Sequence, residues 1–343
     1  MPHEHDDLTE TLMILSLDQI STEKRPAPKQ STPGRLGLRF NGKGWGFFAL
    51  MLKHIFLNII TLGIFLPWAK SEKRAYIWQN IEIGGQPLRY HGTGKELFKG
   101  YLKVIGAWML YVGLISAASA FSPTLSVIVQ IVLGIGVLSI LPGIMLGARA
   151  YLLSRTSWRG VYFGFNEVKL FSDFTRLWIE GYIITIFSLG LYAPIWANEL
   201  HTYLTNNTRF GNVSFEYRGE TPVVVSMFFR ALPLIILSGG LYYFWYRAKL
   251  LNYQLSETWF QGAKGESTLK GHQILWLFLV QVFGATFSLG LALPWITAYS
   301  FRVVLENLSF EGDIDFAAIT QKEQSAGASA DSFADAMEVG IAI

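Results

Sequence analysis

Thr61-Leu-Gly-Ile-Phe-Leu-Pro-Trp68 decides how this chain is read, because it returns as Ser188-Leu-Gly-Leu-Tyr-Ala-Pro-Ile-Trp196 and again as Ser288-Leu-Gly-Leu-Ala-Leu-Pro-Trp295. In each copy a glycine precedes a proline by four residues (Gly63/Pro67, Gly190/Pro194, Gly290/Pro294), and an asparagine follows that proline by thirteen (Asn80, Asn207, Asn307). Three copies at one spacing define an internal repeat. Proline lacks a backbone N–H and clashes with the preceding turn, so a helix kinks or ends there. Trp68, Trp196 and Trp295 then fall where an indole keeps its ring in lipid and its N–H among headgroups. The residues that follow, such as Ala69-Lys-Ser-Glu-Lys-Arg-Ala-Tyr-Ile-Trp-Gln-Asn80, mix basic and aromatic side chains, as a short helix lying along a membrane interface does.

Working outward, each copy closes an apolar stretch close to the ~20 residues that span a bilayer. Six such stretches occur, at Phe47–Trp68, Val104–Phe121, Thr124–Ala148, Leu177–Ala197, Val223–Tyr246 and Gln273–Ile296. Little more than Ser122-Pro123 separates the second from the third, which predicts a helical hairpin. Composition agrees: 51% of the 343 residues are hydrophobic and 15% charged, against roughly 25% charged in a soluble domain. A net charge of +3 gives nucleic acid no electrostatic footing. The absence of Cys excludes disulfides and thiolate chemistry. Met1–Ile20 carries Glu4, Asp6, Asp7, Glu10 and Asp18, which does not fit a signal peptide.

After each repeat asparagine the periodicity changes to two around glycine, as in Ile81–Tyr90, Arg209–Tyr217 and Leu308–Phe316. These segments read as β-hairpins. Weaker variants lie at Ser157–Leu170 and Thr258–Leu269, and Leu36–Trp45 supplies one before the first apolar stretch, with Asn41-Gly42 as its turn. Isolated hairpins are barely stable in water, so they are expected to pair with one another. The fold expected is a mainly α membrane protein. It has about six transmembrane helices, repeated short interfacial helices, and β-hairpins forming small surface sheets. A disordered polar tail (1–34) precedes a single polytopic domain (35–319), and a second disordered tail (320–343) follows.

The run Leu57-Asn-Ile-Ile-Thr-Leu-Gly-Ile-Phe-Leu-Pro-Trp-Ala-Lys70, with Arg74, Tyr76, Asn80 and Tyr90-His-Gly92, resembles the YjgN-type family of bacterial inner-membrane proteins, a domain of unknown function. The resemblance covers roughly residues 35–320. The third copy departs from it, since Arg302 is out of register with Arg74 and no Tyr-His-Gly follows. The resemblance implies a multi-pass protein of the bacterial cytoplasmic membrane and carries no catalytic or binding residue with it.

Signatures of chemistry are few. Gly37–Gly44 nearly matches a phosphate-binding loop, but Gly44 stands where Ser or Thr would hold magnesium. His54, His91, His201 and His272 are scattered without metal-ligand spacing, so no metal or other cofactor is expected. No Gly-x-Ser-x-Gly elbow occurs, and the chain reads as no enzyme. The better lead is polar residues inside the apolar stretches: Lys53, His54, Asn58, Glu180, Arg230 and Gln281. Ionisable groups at membrane depth are costly and tend to be functional. Lys53 and Glu180 each fall ten residues before their repeat glycine, and His54 and Gln281 nine before. They can be read as an intramembrane path whose opposite charges meet, or as side chains that snorkel to the headgroups.

If all six stretches span, the first repeat is inverted relative to the other two, as in many secondary transporters. Loop charges then put both termini outside, while Arg35, Arg39 and Lys43 argue for the inside. Transport of a small solute or ion is preferred on this reading. The alternative is a non-catalytic scaffold whose surface hairpins organise lipids or partner proteins. The lipid bilayer is the expected partner, and the oligomeric state is not legible.

Overall fold

Residues 34–166 and 173–321 are described by a computed structural model. The terminal tails, apart from their innermost residues, and the end of the Ser157–Leu170 hairpin lie outside these. Chain order sets out one unit five times, a pair of helices followed by a pair of strands. After β1 (Arg35–Phe40) come α1 (Gly44–Ile60), α2 (Leu66–Gln79), β2 (Ile81–Ile83) and β3 (Gln86–Tyr90). The second unit is α3 (Gly94–Phe121), α4 (Pro123–Ser154), β4 (Thr156–Trp158) and β5 (Val161–Phe165). The third is α5 (Asp173–Phe187), α6 (Ala193–Asn206), β6 (Thr208–Phe210), β7 (Val213–Ser214) and β8 (Glu216–Tyr217). The fourth is α7 (Thr221–Leu237), α8 (Tyr243–Ser256), β9 (Thr258–Phe260) and β10 (Ala263–Ser267). The last, α9 (Gly271–Phe287), α10 (Leu293–Glu306) and β11 (Leu308–Glu311), has one strand of its own and takes β1 as the second.

Small surface sheets are not what forms. All eleven strands among the described residues join one antiparallel sheet in the order β7-β6-β5-β4-β3-β2-β1-β11-β10-β9-β8. Its two edge strands, β7 and β8, are one piece of chain bent at Phe215, whose N–H donates to Thr208 O at 2.9 Å. The sheet therefore nearly closes on itself into a barrel-like ring, which leaves little of the open edge that isolated hairpins would expose. β1 locks it: Phe40 pairs with Ile81 on one side and Arg35 with Glu311 on the other. Leu36–Trp45 is thus no hairpin, since β1 stops at Phe40 and Trp45 lies in α1. Four turns have two residues, at Gly84-Gly85, Arg159-Gly160, Gly211-Asn212 and Gln261-Gly262. In three of them both residues have positive φ, the backbone that matches strand twist.

The interior of the ring is filled. Phe40, Ile81, Leu88, Trp158, Phe210 and Phe260 form one buried cluster, which Phe47, Ile77 and Ala298 join from the helices. Ring contacts run across it: Trp158–Phe210 at 5.7 Å, Phe210–Phe260 at 6.2 Å, Phe260–Phe215 at 4.7 Å and Phe215–Phe310 at 6.4 Å. The segment after β11 returns to close it. Phe316 packs edge-on against Trp158, Arg159 lies over both rings, and Ile319 is buried.

About six transmembrane helices is also corrected. Among the described residues two helices are long and apolar enough to cross a bilayer, α3 (28 residues) and α4 (32 residues). They meet at Ser122, whose hydroxyl caps α4. Each of the other four apolar stretches is two helices joined by a reversal: α1 and α2, α5 and α6, α7 and α8, α9 and α10. Hydropathy sums residues without regard to direction, so a helix, its apolar turn and the start of the return helix together resemble one span. Pro67, Pro194 and Pro294 end no helix. They stand in the first turn of the return helix, where the missing N–H has no partner to lose.

Among the described residues the helical hairpins leave the ring and come back to it, so the helix–strand junctions share one rim and the strand turns the other. The inverted arrangement of repeats is thereby excluded.

Candidate functional site

The face formed by the helical hairpins is where the repeat residues gather. Each short hairpin turns by the same five residues. Leu62 N donates to Ile59 O and Gly63 N to Asn58 O, a Schellman closure of α1. Ile64 N then reaches Thr61 O, Phe65 N the Thr61 hydroxyl at 3.1 Å, and Leu66 N Gly63 O. The same bonds recur at Leu189–Ala193, Gly239–Tyr243 and Leu289–Leu293, with Ser188, Ser238 and Ser288 supplying the hydroxyl. All five successive N–H groups are satisfied inside the turn in all four copies, with nothing left for water to accept. A turn so made suits a medium that offers no hydrogen bonds.

The side chains on these turns point the same way. Leu62, Leu189 and Leu289 are 92–93% exposed, and Ile60, Ile64, Phe187, Leu237 and Phe287 are exposed beside them. These three leucines have φ of +50°, +52° and +51°. That left-handed backbone costs an L residue roughly 1–2 kcal/mol, and Gly239 fills the same position in the fourth copy.

Hairpins are held side by side through Trp-on-Gly seats. Trp68 of α2 covers Gly94 at the start of α3, Trp245 of α8 covers Gly271 at the start of α9, and Trp295 of α10 covers Gly44 at the start of α1. A Cβ on Gly94 would lie 2.8 Å from Trp68 Cα, and one on Gly271 2.6 Å from Trp245 Cα, so backbone would have to move. Trp196 instead covers Gly181 within its own hairpin, and α6 reaches α7 through Asn198 Nδ2, which donates to Thr221 Oγ1 at 3.0 Å. Trp68 and Trp295 therefore seat helix starts, a role their expected interfacial placement does not include. Asn80, Asn207 and Asn307 end their helices, each Nδ2 donating to the carbonyl four residues back at 2.7–2.8 Å.

The candidate path residues do not converge. Lys53 Nζ and His54 Nε2 both meet Glu72 of the return helix, at 2.8 and 2.9 Å. Glu180 is paired with Arg176 on its own helix at 2.8 Å, far more exposed than a path would allow (55% and 77%). Arg230 and Gln281 are exposed, and Asn58 Oδ1 is buried without a partner among the described residues. What unites them is height. Lys53, Glu180 and Arg230 each stand ten residues before the second glycine-φ residue of their turn (Gly63, Gly190, Gly240), and Gln281 nine before Gly290. They form a polar belt at one level around the hairpins, and beyond it the turns carry no charge.

On the ring side of the belt, sequence reasoning passed over His201. It stacks edge-on to Tyr217 at 4.7 Å, and its Nε2 is buried without a partner among the described residues. Tyr217 donates to Asn198 Oδ1 at 2.8 Å. Burial, with Arg149 and Arg247 nearby, lowers the imidazole from 6.5 to about 4. The unfolded chain takes up a proton below about pH 6.5 that the folded chain refuses until about pH 4. Stability should therefore fall as pH drops through that window, by up to about 3 kcal/mol. Thermal unfolding in detergent at pH 7.5 and 4.5 measures it, and His201→Phe should flatten the slope. An unchanged slope in that variant would assign the acid sensitivity to other groups.

Comparison with known proteins bears on most of the chain. Residues 35–244 and 221–336 match the family described as "Bacterial protein of unknown function (DUF898)". The chain belongs to this family. The second DUF898 match begins at Thr221, the first residue of α7, so the family pattern restarts on a repeat boundary. "Inner membrane protein YjgN" of Salmonella typhimurium (strain LT2) is 23% identical over 84% of this chain and 91% of its own length. Proteins of the same name from Escherichia coli O157:H7 and strain K12 are 32% and 29% identical. Those two alignments take in 37% and 44% of this chain and 30% and 35% of theirs. No solved structure matches. For this DUF898 member the quoted Tyr90-His-Gly92 gains a structural meaning. The Tyr90 ring folds over Gly92, as Phe40 does over Gly42 and Tyr217 over Gly219, and its hydroxyl lies 3.4 Å from buried Arg74.

Proposed function

We propose that this chain is a non-catalytic scaffold of the bacterial cytoplasmic membrane, seated in the bilayer by its helical hairpins and presenting the strand ring to the cytoplasm. The observation that carries the reading is the one-sided architecture, with five hairpins leaving one rim and a ring whose interior is packed. The relatives named as inner membrane proteins support the location. At ~1.5 Å per residue α3 and α4 reach about 42 and 48 Å, more than the ~30 Å hydrocarbon core.

Charge supports the orientation. No charged residue occurs from Val104 to Ala148, while Lys95, Lys99, Lys103, Arg149 and Arg155 flank that stretch on the ring side. By the positive-inside rule the ring faces the cytoplasm and Phe121–Pro123 the other side. The tension between loop charges and the basic residues before α1 disappears once all strands share one side. A solute path, by contrast, would need Lys53, Glu180 and Arg230 to converge, whereas each is exposed at one height.

Single cysteines test this in a chain that has none of its own. Cysteine at Gln86, Ser214, Lys264 or Asp313, all exposed near strand turns, should react with an impermeant maleimide in inverted membrane vesicles and not in spheroplasts. Cysteine at Phe121 should do the reverse. A split among the four turn positions would overturn the scaffold.

A further inference from the structure

We propose that the four short helical hairpins enter one leaflet only and wedge it apart, so that the protein bends the membrane toward its ring side. The proposal rests on the membrane seat argued above. It begins with lengths. α1, α7 and α9 have 17 residues, α5 has 15 among the described residues, and each of their return helices has 14. A 17-residue helix is about 25 Å long, short of the ~30 Å core even if it entered from its first residue.

It does not enter from its first residue, because the belt sets the depth. Lys53 with Glu72, Glu180 with Arg176, and Arg230 hold charge nine residues above Leu62, Leu189 and Gly239. Nine residues are about 13 Å of helix, close to half the hydrocarbon thickness. With charges at the headgroups, each turn ends near the bilayer midplane. The turns are built for that place, since their N–H groups are internally bonded and their most exposed side chains are leucines held on strained backbone. α3 and α4 add area to both leaflets equally. The eight short helices add it to one, roughly 600–900 Å² at about 10–12 Å diameter each. A leaflet expanded on one side curves toward that side.

The test uses the full chain in vesicles of phosphatidylethanolamine and phosphatidylglycerol. A bimane on cysteine at Leu191, an exposed turn position, reads depth through quenching by lipids brominated along the acyl chain. Electron microscopy reads vesicle shape. The expected result is strongest quenching by bromines near the chain ends, together with tubules or small vesicles. The combined variant Leu62→Asn, Leu189→Asn, Leu289→Asn should lose the tubules. Asparagine tolerates left-handed backbone, so an unchanged near-UV spectrum verifies that the ring has folded. Deep quenching without any change of vesicle shape would overturn the curvature proposal and leave the membrane seat standing. Labelling at Leu191 by an impermeant reagent from the side opposite the ring would overturn the one-leaflet wedge alone, and an absence of quenching by bromines at every depth would overturn both.

Discussion

Phe210→Ala should destabilise the ring by about 3–5 kcal/mol. Phe210 is 3% exposed on β6, and its ring lies 4.7 Å from Phe163, 5.7 Å from Trp158 and 6.2 Å from Phe260. No single sheet face can close over the hole, because the strands around it are two to six residues long and come from different repeats. Trp158 also holds Phe316, so the loss should spread to the segment that returns after β11. Near-UV circular dichroism during urea unfolding in detergent reads the change. A cost below about 1 kcal/mol would mean that the interior is not one packed core.

The second large effect is expected from β1. A chain beginning at Asn41 should fail to close its ring, whereas one beginning at Gly34 retains the strand, and the difference between them isolates it. Without Arg35–Phe40, β2 and β11 each lose one of two partners and Phe40 leaves the core. Two unpaired edges then face one another, a template for pairing with a second chain. The shortened protein should melt without a cooperative transition or run as higher oligomers. A synthetic peptide covering residues 34–43 should restore the monomeric profile. A cooperative monomer without the peptide would show that the ring closes some other way.

Much of this architecture could be read in the residues. The spacing of Gly63, Pro67 and Asn80, copied twice, marked the repeat and the change from helix to strand after each asparagine, but it placed the helix end at the proline, whereas the turn falls before it. It did not reveal direction. A transmembrane span and a helix that turns back at its end share a composition when the turn itself is apolar, and only the hydrogen bonds of Leu62 and Gly63 distinguish them. The fourth copy stayed hidden because Gly239-Gly240 replaces Leu-Gly and no proline follows. The ring was out of reach for another reason: strands of two or three residues carry almost no periodicity, and β1 finds β11 from the far end of the chain. Lys53 and Glu180 share a register, ten residues before Gly63 and Gly190. Equal register in repeats set around a ring, however, means equal height, and places side chains in different hairpins apart.

The position of β1 has a consequence for how the protein is made. Arg35 bonds to Ser309, 274 residues later, and closing so long a flexible loop at one stroke would cost roughly 5 kcal/mol of chain entropy. The repeats divide that journey into local steps, since each hairpin pairs with the one just finished. Until β11 arrives, β1 waits with one side bonded to β2 and the other bare. The last of the described strands to be synthesised therefore completes the first, and a chain interrupted before residue 308 carries an open edge at both ends of its sheet.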